Sequence, residues 1–408
     1  MNPSHPRRLI GATALVVLAG GLIMSAAMGI RQSFGLFLGP LADGGVSLGT
    51  VAFAIALHNL VWGAAQPFAG AAADKHGAAP VVLFGAVAFA AGLALTALAP
   101  GEVSMIVGMG VLVGIGISCT SFGVTMTAVG RAATPEQRSM AMGLASAGGS
   151  LGQAFIVPLA QGVSAGFGLT AALLVLAGVI IAAAPLGRLL DRRGAPLPAP
   201  AAPPPPLREA LAQAGRHNGY RLLTLGFFTC GFQLAFIATH LPGYLTLCNM
   251  PLGLGATALA LIGLFNMAGS WGCGWLGGRF RQQHVLGWLY LVRGGAIAAF
   301  FLLPKTEASV VLFAAVMGLT WLGTVPLTSG LVAKVFGVRH LGTLFGICFL
   351  SHQVGSFLGA WLGGTLFDLT GTYDLLWATT AGAGVLAAAL HFAINDTPPA
   401  PVPTPAAA

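Results

Sequence analysis

The chain has 408 residues, of which 56% are hydrophobic and only 7% charged, against roughly 25% charged in an ordinary soluble domain. That is too little charge to cover a water-facing surface, so an apolar solvent must face much of the chain. The formal net charge of +8 does not indicate nucleic acid, because the basic residues fall in short runs between long apolar segments.

Arg7 and Arg8 precede an apolar run that continues to about Leu41. It is too long for a signal peptide and lacks a small-residue cleavage site, so it reads as a first membrane span. A crossing helix needs about 20 mostly apolar residues. Continuous apolar stretches place the first set of spans near 9–39, 49–72, 79–99, 103–129, 139–163 and 169–188. A second set follows near 221–247, 256–277, 285–303, 308–333, 341–367 and 375–394. Strand alternation, the mark of a membrane barrel, is absent from these segments. The expected fold is therefore an all-α membrane protein of twelve transmembrane helices in two pseudo-symmetric six-helix bundles. The bundles are expected over 1–190 and 220–396, joined by a cytoplasmic Pro-rich linker over 191–219 and followed by a disordered tail over 397–408.

With the N-terminus inside, every Lys and Arg except Arg31, Arg293 and Lys305 falls on the cytoplasmic side, as the positive-inside rule requires. Both termini are then cytoplasmic, in a multi-pass protein of a bacterial inner membrane. The acidic residues all fall in loops or at their edges: Asp43, Glu102, Glu307, Asp368 and Asp374 outside, Asp74, Glu136, Asp191, Glu209 and Asp396 inside. No carboxylate is left in a span. The five cysteines show neither metal-ligand nor disulfide-framework spacing, and no metal or cofactor is expected.

The two halves echo each other at an offset of about 204 residues: Gly70-Ala-Ala-Ala-Asp74-Lys75-His-Gly77 corresponds to Gly274-Trp-Leu-Gly-Gly278-Arg279-Phe-Arg281, and Gly143–Gly152 to Gly346–Gly355. The first of these segments resembles the major facilitator signature G-x-x-x-D-R/K-x-G in the cytoplasmic loop between spans 2 and 3, and the resemblance covers the whole chain. It implies alternating access between two bundles and a charge lock closing the inner gate, carried here by Asp74, Lys75 and Arg131, with Arg279 in the second copy. Within that superfamily the chain is similar to the bacterial branch related to monocarboxylate and oxalate/formate transporters. The similarity rests on Gly29-Ile-Arg31-Gln-Ser-Phe-Gly-Leu-Phe, Gly148-Gly-Ser-Leu-Gly152 with Pro158, and Leu261-Ile-Gly-Leu-Phe-Asn266. Characterised carriers of that branch place an Arg on span 8, one turn after the position matching Asn266; this sequence has Ser270 there.

A polar side chain in hydrocarbon must find partners, so intramembrane polar residues are binding-site candidates. Counting to mid-span selects His58, Asn59, Ser118, Gln153, Gln233, Asn266, Trp321, His352 and Gln353, with Ser270 one turn from Asn266. All lie on the spans that the resemblance assigns to the cavity. Arg31, in the outer half of span 1, is the candidate anion anchor, since a guanidinium offers a fork of donors matched to a carboxylate. Pairing with Asp43 is its alternative role. Arg293, on a span the resemblance makes peripheral, reads as structural. With no carboxylate in the spans, His58, His240 and His352 are the candidate proton carriers.

No nucleotide-binding loop, His/Glu metal motif or catalytic triad is present. The expectation is a monomeric, non-enzymatic secondary transporter of a small organic anion, a monocarboxylate first, with proton symport through a histidine or the substrate's own carboxylate beside Arg31, and uniport or anion exchange as open alternatives. Efflux of a drug-like hydrophobic compound is the second reading and a non-transporting membrane sensor the third.

Overall fold

A computed structural model describes residues 5–37, 41, 48–99, 101–191, 206–251 and 254–399. The described chain is helical throughout. α1 (His5–Ser33) ends in a 3₁₀ turn at Phe34–Phe37, and α2 (Leu48–His76) and α3 (Ala78–Leu98) meet at Gly77, whose φ of 91° is open to glycine at no steric cost. α4 (Glu102–Ala132) contains a π-helical stretch at Ile106–Leu112 and an interruption at Ser121. One continuous run, Arg138–Ala183, is really two helices hinged at Gly168 (φ 84°): α5 (138–167) and α6 (169–190).

The second half has α7 (Asn218–Leu247), α8 (Leu254–Arg279), α9 (Gln282–Leu302), α10 (Glu307–Phe336), α11 (Leu341–Thr370) and α12 (Asp374–Phe392). α10 is broken between Trp321 and Gly323. Among the described residues, eleven helices are long and apolar enough to cross a membrane. α2, at 29 residues, has the length of the twelfth. The amphipathic helix Leu207–Arg216 was not expected inside the 191–219 linker. It buries Ala210 and Ala214 on one face, the pattern of a helix lying along an interface. The Pro-rich part of the linker, Asp43 and most of the tail fall outside the described residues.

Within each half the main packing pairs α1 with α5 and α7 with α11. α2 with α11 and α5 with α8 join the halves. Apolar burial cannot drive these contacts in lipid, so close approach of small residues must. At the α5–α8 seam a Cβ on Gly143 would lie 2.7 Å from Gly274 Cα. The contact requires glycine on both sides.

Asp74, Lys75, Arg131, Arg138, Arg279, Arg281 and Lys334 gather at one face of the bundle, called here the basic face. The internal repeat is visible there in a pair of acids. Asp191, just past α6, accepts from Ala78 N–H (2.6 Å) and Ala79 N–H (3.0 Å) and so caps α3. Its counterpart Asp396, just past α12, accepts from Arg281 at the start of α9 (2.6 Å) and from Lys334 at the end of α10. Burial pushes the Asp396 carboxyl up, but the bonds from Lys334 and Arg281 outweigh it and hold the group below the usual carboxylate range. A group lowered by folding adds stability above its unfolded pKa and loses it only as pH falls through the acid range. Asp396→Asn is therefore expected to destabilise the protein by on the order of 1 kcal/mol, read as a lower melting temperature, and by the same amount at pH 7.5 and pH 5.5. A deficit that halves between those two values would contradict the assignment.

Candidate functional site

A cavity of about 400 Å³ lies between the halves. On α1, α2, α7, α8 and α11 its lining residues run from mid-helix toward the end away from the basic face, so it occupies the non-basic half of the bundle. Its floor, at mid-depth, is aromatic. Trp62 lies 4.8 Å from Phe349 and 6.5 Å from Phe122 between ring centroids, joining α2, α4 and α11. Trp62 is pinned by its indole N–H, within 2.9 Å of both Gln66 Oε1 and Ser121 Oγ.

Of the residues selected from sequence, Arg31, His58, Asn59, Gln153, Trp321, His352 and Gln353 line this cavity. Four of them form a hydrogen-bonded chain across it. Arg31 Nη2 donates to Asn59 Oδ1 (2.9 Å), the Asn59 carbonyl accepts from Gln353 Nε2 (3.1 Å), and Gln353 Oε1 lies 3.0 Å from His352 Nδ1. Because the Gln353 amide nitrogen donates to a carbonyl, its oxygen must accept, so His352 carries its proton on Nδ1. That leaves Nε2 as a lone-pair acceptor, buried beside the Cys230 thiol with no nitrogen or oxygen partner among the described residues. Both ring nitrogens of His58 and the Nε of Arg31 are likewise buried and unpartnered. The Arg31 guanidinium stands 5.3 Å from the Trp62 ring centroid, a cation–π distance. No Asp or Glu lines the cavity among the described residues.

Five sequence-selected residues sit off this wall. Ser118 is fully buried in α4, where its hydroxyl bonds the Ile115 carbonyl (2.6 Å) and its own carbonyl accepts from Gln66 Nε2 (2.9 Å). Gln233 faces away from the cavity, toward α12 and α9, donating to the Thr380 carbonyl (3.0 Å) and accepting from Arg293 Nη1 (3.4 Å). Asn266 accepts from Leu322 N–H (3.0 Å) and from Ser270 Oγ (3.2 Å), and donates to Ser150 Oγ on α5 (2.9 Å). Both Asn266 and Ser270 therefore serve the break in α10. His240 Nε2 lies 2.9 Å from the Ala360 carbonyl, and Tyr373 Oη is 3.4 Å from its Nδ1. Depth along a helix can be read from sequence, but the direction in which a helix faces cannot.

The two broken helices are repeat partners, and each is held by polar residues that sequence reasoning assigned differently or missed. In the first half Gln66 on α2 takes up the carbonyl freed near Ser121. In the second, Asn266 and Ser270 on α8 satisfy the N–H freed at Leu322. Arg293 completes the second site: it bonds the Thr320 carbonyl, the Trp321 carbonyl (2.9 Å) and Cys230 Sγ (3.2 Å). A cation at the C-terminal end of a half-helix is favoured by the helix dipole. Arg293 is thus structural, and the carbonyls it holds belong to the cavity residue Trp321 and its neighbour. The available signal was Gln66 beside Pro67, a pairing of amide and helix-breaker within one span.

The basic face is shut. Asp74 accepts from Arg131 (2.7 Å), from the Gly342 and Thr343 N–H groups (3.3 and 3.0 Å) and from Thr343 Oγ1 (3.1 Å). Arg131 in turn donates to the Val338 (3.3 Å) and Arg339 (2.8 Å) carbonyls. The acid therefore satisfies orphan donors in the first turn of α11, across the seam between halves. Burial raises the Asp74 carboxyl above its usual range, while Arg131 and the α11 amides pull it back. Lys75 is exposed and lies outside this network. Arg279 stacks on Trp275 at 4.1 Å and is not part of the lock.

Two six-helix halves around a shared cavity, sealed at one face by a cross-seam lock, define a secondary transporter rather than an enzyme. The chain belongs to the Major Facilitator Superfamily, whose family model matches residues 9–347. It is similar to the MFS-type transporter YcxA of Bacillus subtilis, 26% identical over 85% of this chain and 86% of that one. It is also similar to human monocarboxylate transporter 11, 28% identical over 88% of this chain and 78% of the relative. Among solved structures, the outward conformation of FucP, the Escherichia coli fucose:proton symporter, superposes with a TM-score of 0.70. The two are 16% identical over 92% of this chain and 97% of that one.

Removing Arg131 leaves Asp74 without its counter-charge and deletes both carbonyl contacts across the seam. Arg131→Ala is expected to weaken closure of the basic face by about 1–3 kcal/mol. The readout is a cysteine placed near Gly342: its labelling from the basic face should rise roughly tenfold. Unchanged labelling would show that glycine packing alone keeps the face shut.

Proposed function

We propose that this transporter carries an organic anion, a monocarboxylate first, with Arg31 as its anchor. The observation that carries the reading is a guanidinium on the wall of the central cavity, with no carboxylate lining that cavity among the described residues. An Arg in a span costs roughly 2.5–3.5 kcal/mol on insertion scales, and a bound anion would offset that cost. Ser270 cannot supply the charge that related carriers place on span 8, so the fork of donors at Arg31 takes that role. The aromatic floor of Trp62, Phe122 and Phe349 suits the apolar body of such an acid. The monocarboxylate transporter relative supports the same class.

The basic face is the cytoplasmic one by the positive-inside rule, in a bacterial inner membrane, with both termini inside and the protein working as a monomer. The described arrangement is then outward-facing. Residues 1–190 and 220–396 act as the two rocking bodies. The proton enters as the co-substrate. His352 Nε2 is the lone-pair acceptor, and the Asn59–Gln353 bridge connects its charge to the anion site on the other half. Protonating His352 and seating an anion at Arg31 offset each other electrostatically, which favours loading both before the halves rock.

Two measurements test this reading. Thermal-shift screening of the purified protein against small and aromatic monocarboxylates is expected to find stabilising ligands. Arg31→Ala should weaken them about 100-fold, equivalent to about 3 kcal/mol, and Arg31→Lys should recover part of the loss. Stabilisation by neutral amphipathic drugs alone would replace the anion reading with efflux. In proteoliposomes, His352→Gln should abolish uptake driven by an imposed pH gradient and leave exchange of internal for external substrate intact. Full pH-driven accumulation in that variant would remove His352 from the proton path.

A further inference from the structure

We infer that the groove between α8, α9 and α10, on the basic side of the C-terminal half, is a binding site for one anionic phospholipid. The groove measures about 740 Å³ and is separate from the central cavity. Its mouth carries Arg279, Arg281 and His284, and its walls are apolar, with Phe280 and Trp288 each about 60% exposed. No acidic residue lines it among the described residues. From His284 to Val292, α9 rises about 12 Å at 1.5 Å per residue. That fits within one leaflet, half of a hydrocarbon core of roughly 30 Å. Basic groups at headgroup level above an apolar channel are complementary to a phosphate headgroup with an acyl chain below it. Arg281 gives one nitrogen to Asp396, while Arg279 is exposed, its guanidinium 4.1 Å from the Trp275 ring centroid.

The internal repeat supplies a control for this inference. The same groove exists in the N-terminal half, lined by residues that include His76, Pro80 and Phe84, and measures about 390 Å³. Its shape follows from the fold. Its chemistry does not carry over: where the second half has Arg281, His284 and Trp288, the first has Gly77, Pro80 and Phe84. The second half has also replaced the acid of the signature, Asp74, by Gly278 while keeping a base at Arg279. A mouth of Arg279, Arg281 and His284, in which Arg281 alone is ion-paired among the described residues, is thus peculiar to the C-terminal groove. At its inner end this groove reaches Leu319 and Thr320, and Thr320 is the residue whose carbonyl Arg293 grips at the α10 break. An acyl chain there would rest against the hinge that carries Trp321.

The test uses tryptophan quenching in the intact protein, reconstituted singly in nanodiscs of phosphatidylcholine. Brominated phosphatidylglycerol or brominated phosphatidylcholine is added at equal mole fraction, and the Trp288 signal is taken as the difference from Trp288→Phe. Phosphatidylglycerol should quench Trp288 several-fold more strongly than phosphatidylcholine. The preference should fall to near unity in Arg279→Gln/His284→Gln and weaken at high salt. A Phe84→Trp reporter in the N-terminal groove should show little preference. Equal quenching by both lipids in the wild-type chain would overturn the inference, as would an equal preference at position 84, or a preference that ignores both the double substitution and salt. Failure of either lipid to quench, with covalent dimers formed through Trp288→Cys, would assign the groove to a second copy of the chain instead. None of these readouts depends on the transported substrate.

Discussion

Hydrocarbon does not tolerate an unpaired polar group, and nearly every feature of this transporter can be traced to how that demand is met. The helices satisfy their own backbones. Where α4 and α10 break, side chains from neighbouring helices take up the freed carbonyls and amides. Where charge enters the bilayer it is confined to Arg31 and Arg293, and the two are treated in opposite ways. Arg293 is enclosed by carbonyls, an amide oxygen and a thiol. Among the described residues Arg31 has one protein acceptor and an aromatic face. Arg293 also keeps an unpartnered Nε, but its four acceptors make it scaffold. Arg31 stands on the cavity wall, where a ligand can reach it.

The same demand organises the seam between the halves. Glycine pairs allow α2 to approach α11 and α5 to approach α8, and polar links across these contacts are few among the described residues. Those present are informative: Asp74 on the first turn of α11, Gln353 on the Asn59 carbonyl, Asn266 on Ser150. Each joins one half to the other, and each must break or be exchanged when the halves move. The first lies at the basic face and the other two lie deeper in the bundle. Closure of one face and assembly of the binding cavity therefore depend on a common set of interfaces.

Much of this was legible in the residues themselves. Apolar run length gave the span count, basic residues gave the two faces, and the repeated glycine-acid-base segment gave the family resemblance. The limits were equally physical. Near-continuous apolarity erases the contrast between a greasy and a polar side that would show which way a helix faces. Arg31, Asn59 and His352 were therefore grouped in sequence with Ser118, Gln233 and Asn266, which turn toward neighbouring helices. The α10 break at Trp321-Leu-Gly323 is marked by Pro326, which cannot bond the Leu322 carbonyl one turn back, a signal easily passed over inside an otherwise apolar run. The helix at 207–216 was overshadowed by the prolines before it. The signature singled out Asp74, but its partner, the first turn of α11, lies far away in sequence and is carried by backbone, which no sequence motif encodes.

Arg293 has a consequence for energetics that concerns voltage rather than pH. A guanidinium keeps its proton at physiological pH, so Arg293 places a fixed positive charge in the C-terminal half inside the bilayer, and Arg31 places another in the N-terminal half. Carrying an elementary charge across the whole transmembrane field is worth about 2.3 kcal/mol per 100 mV. The rocking proposed above would move these two residues through part of that field even when nothing is bound. The resting and returning steps of the cycle thus inherit a dependence on membrane potential from the scaffold itself, before the charge of any cargo is counted.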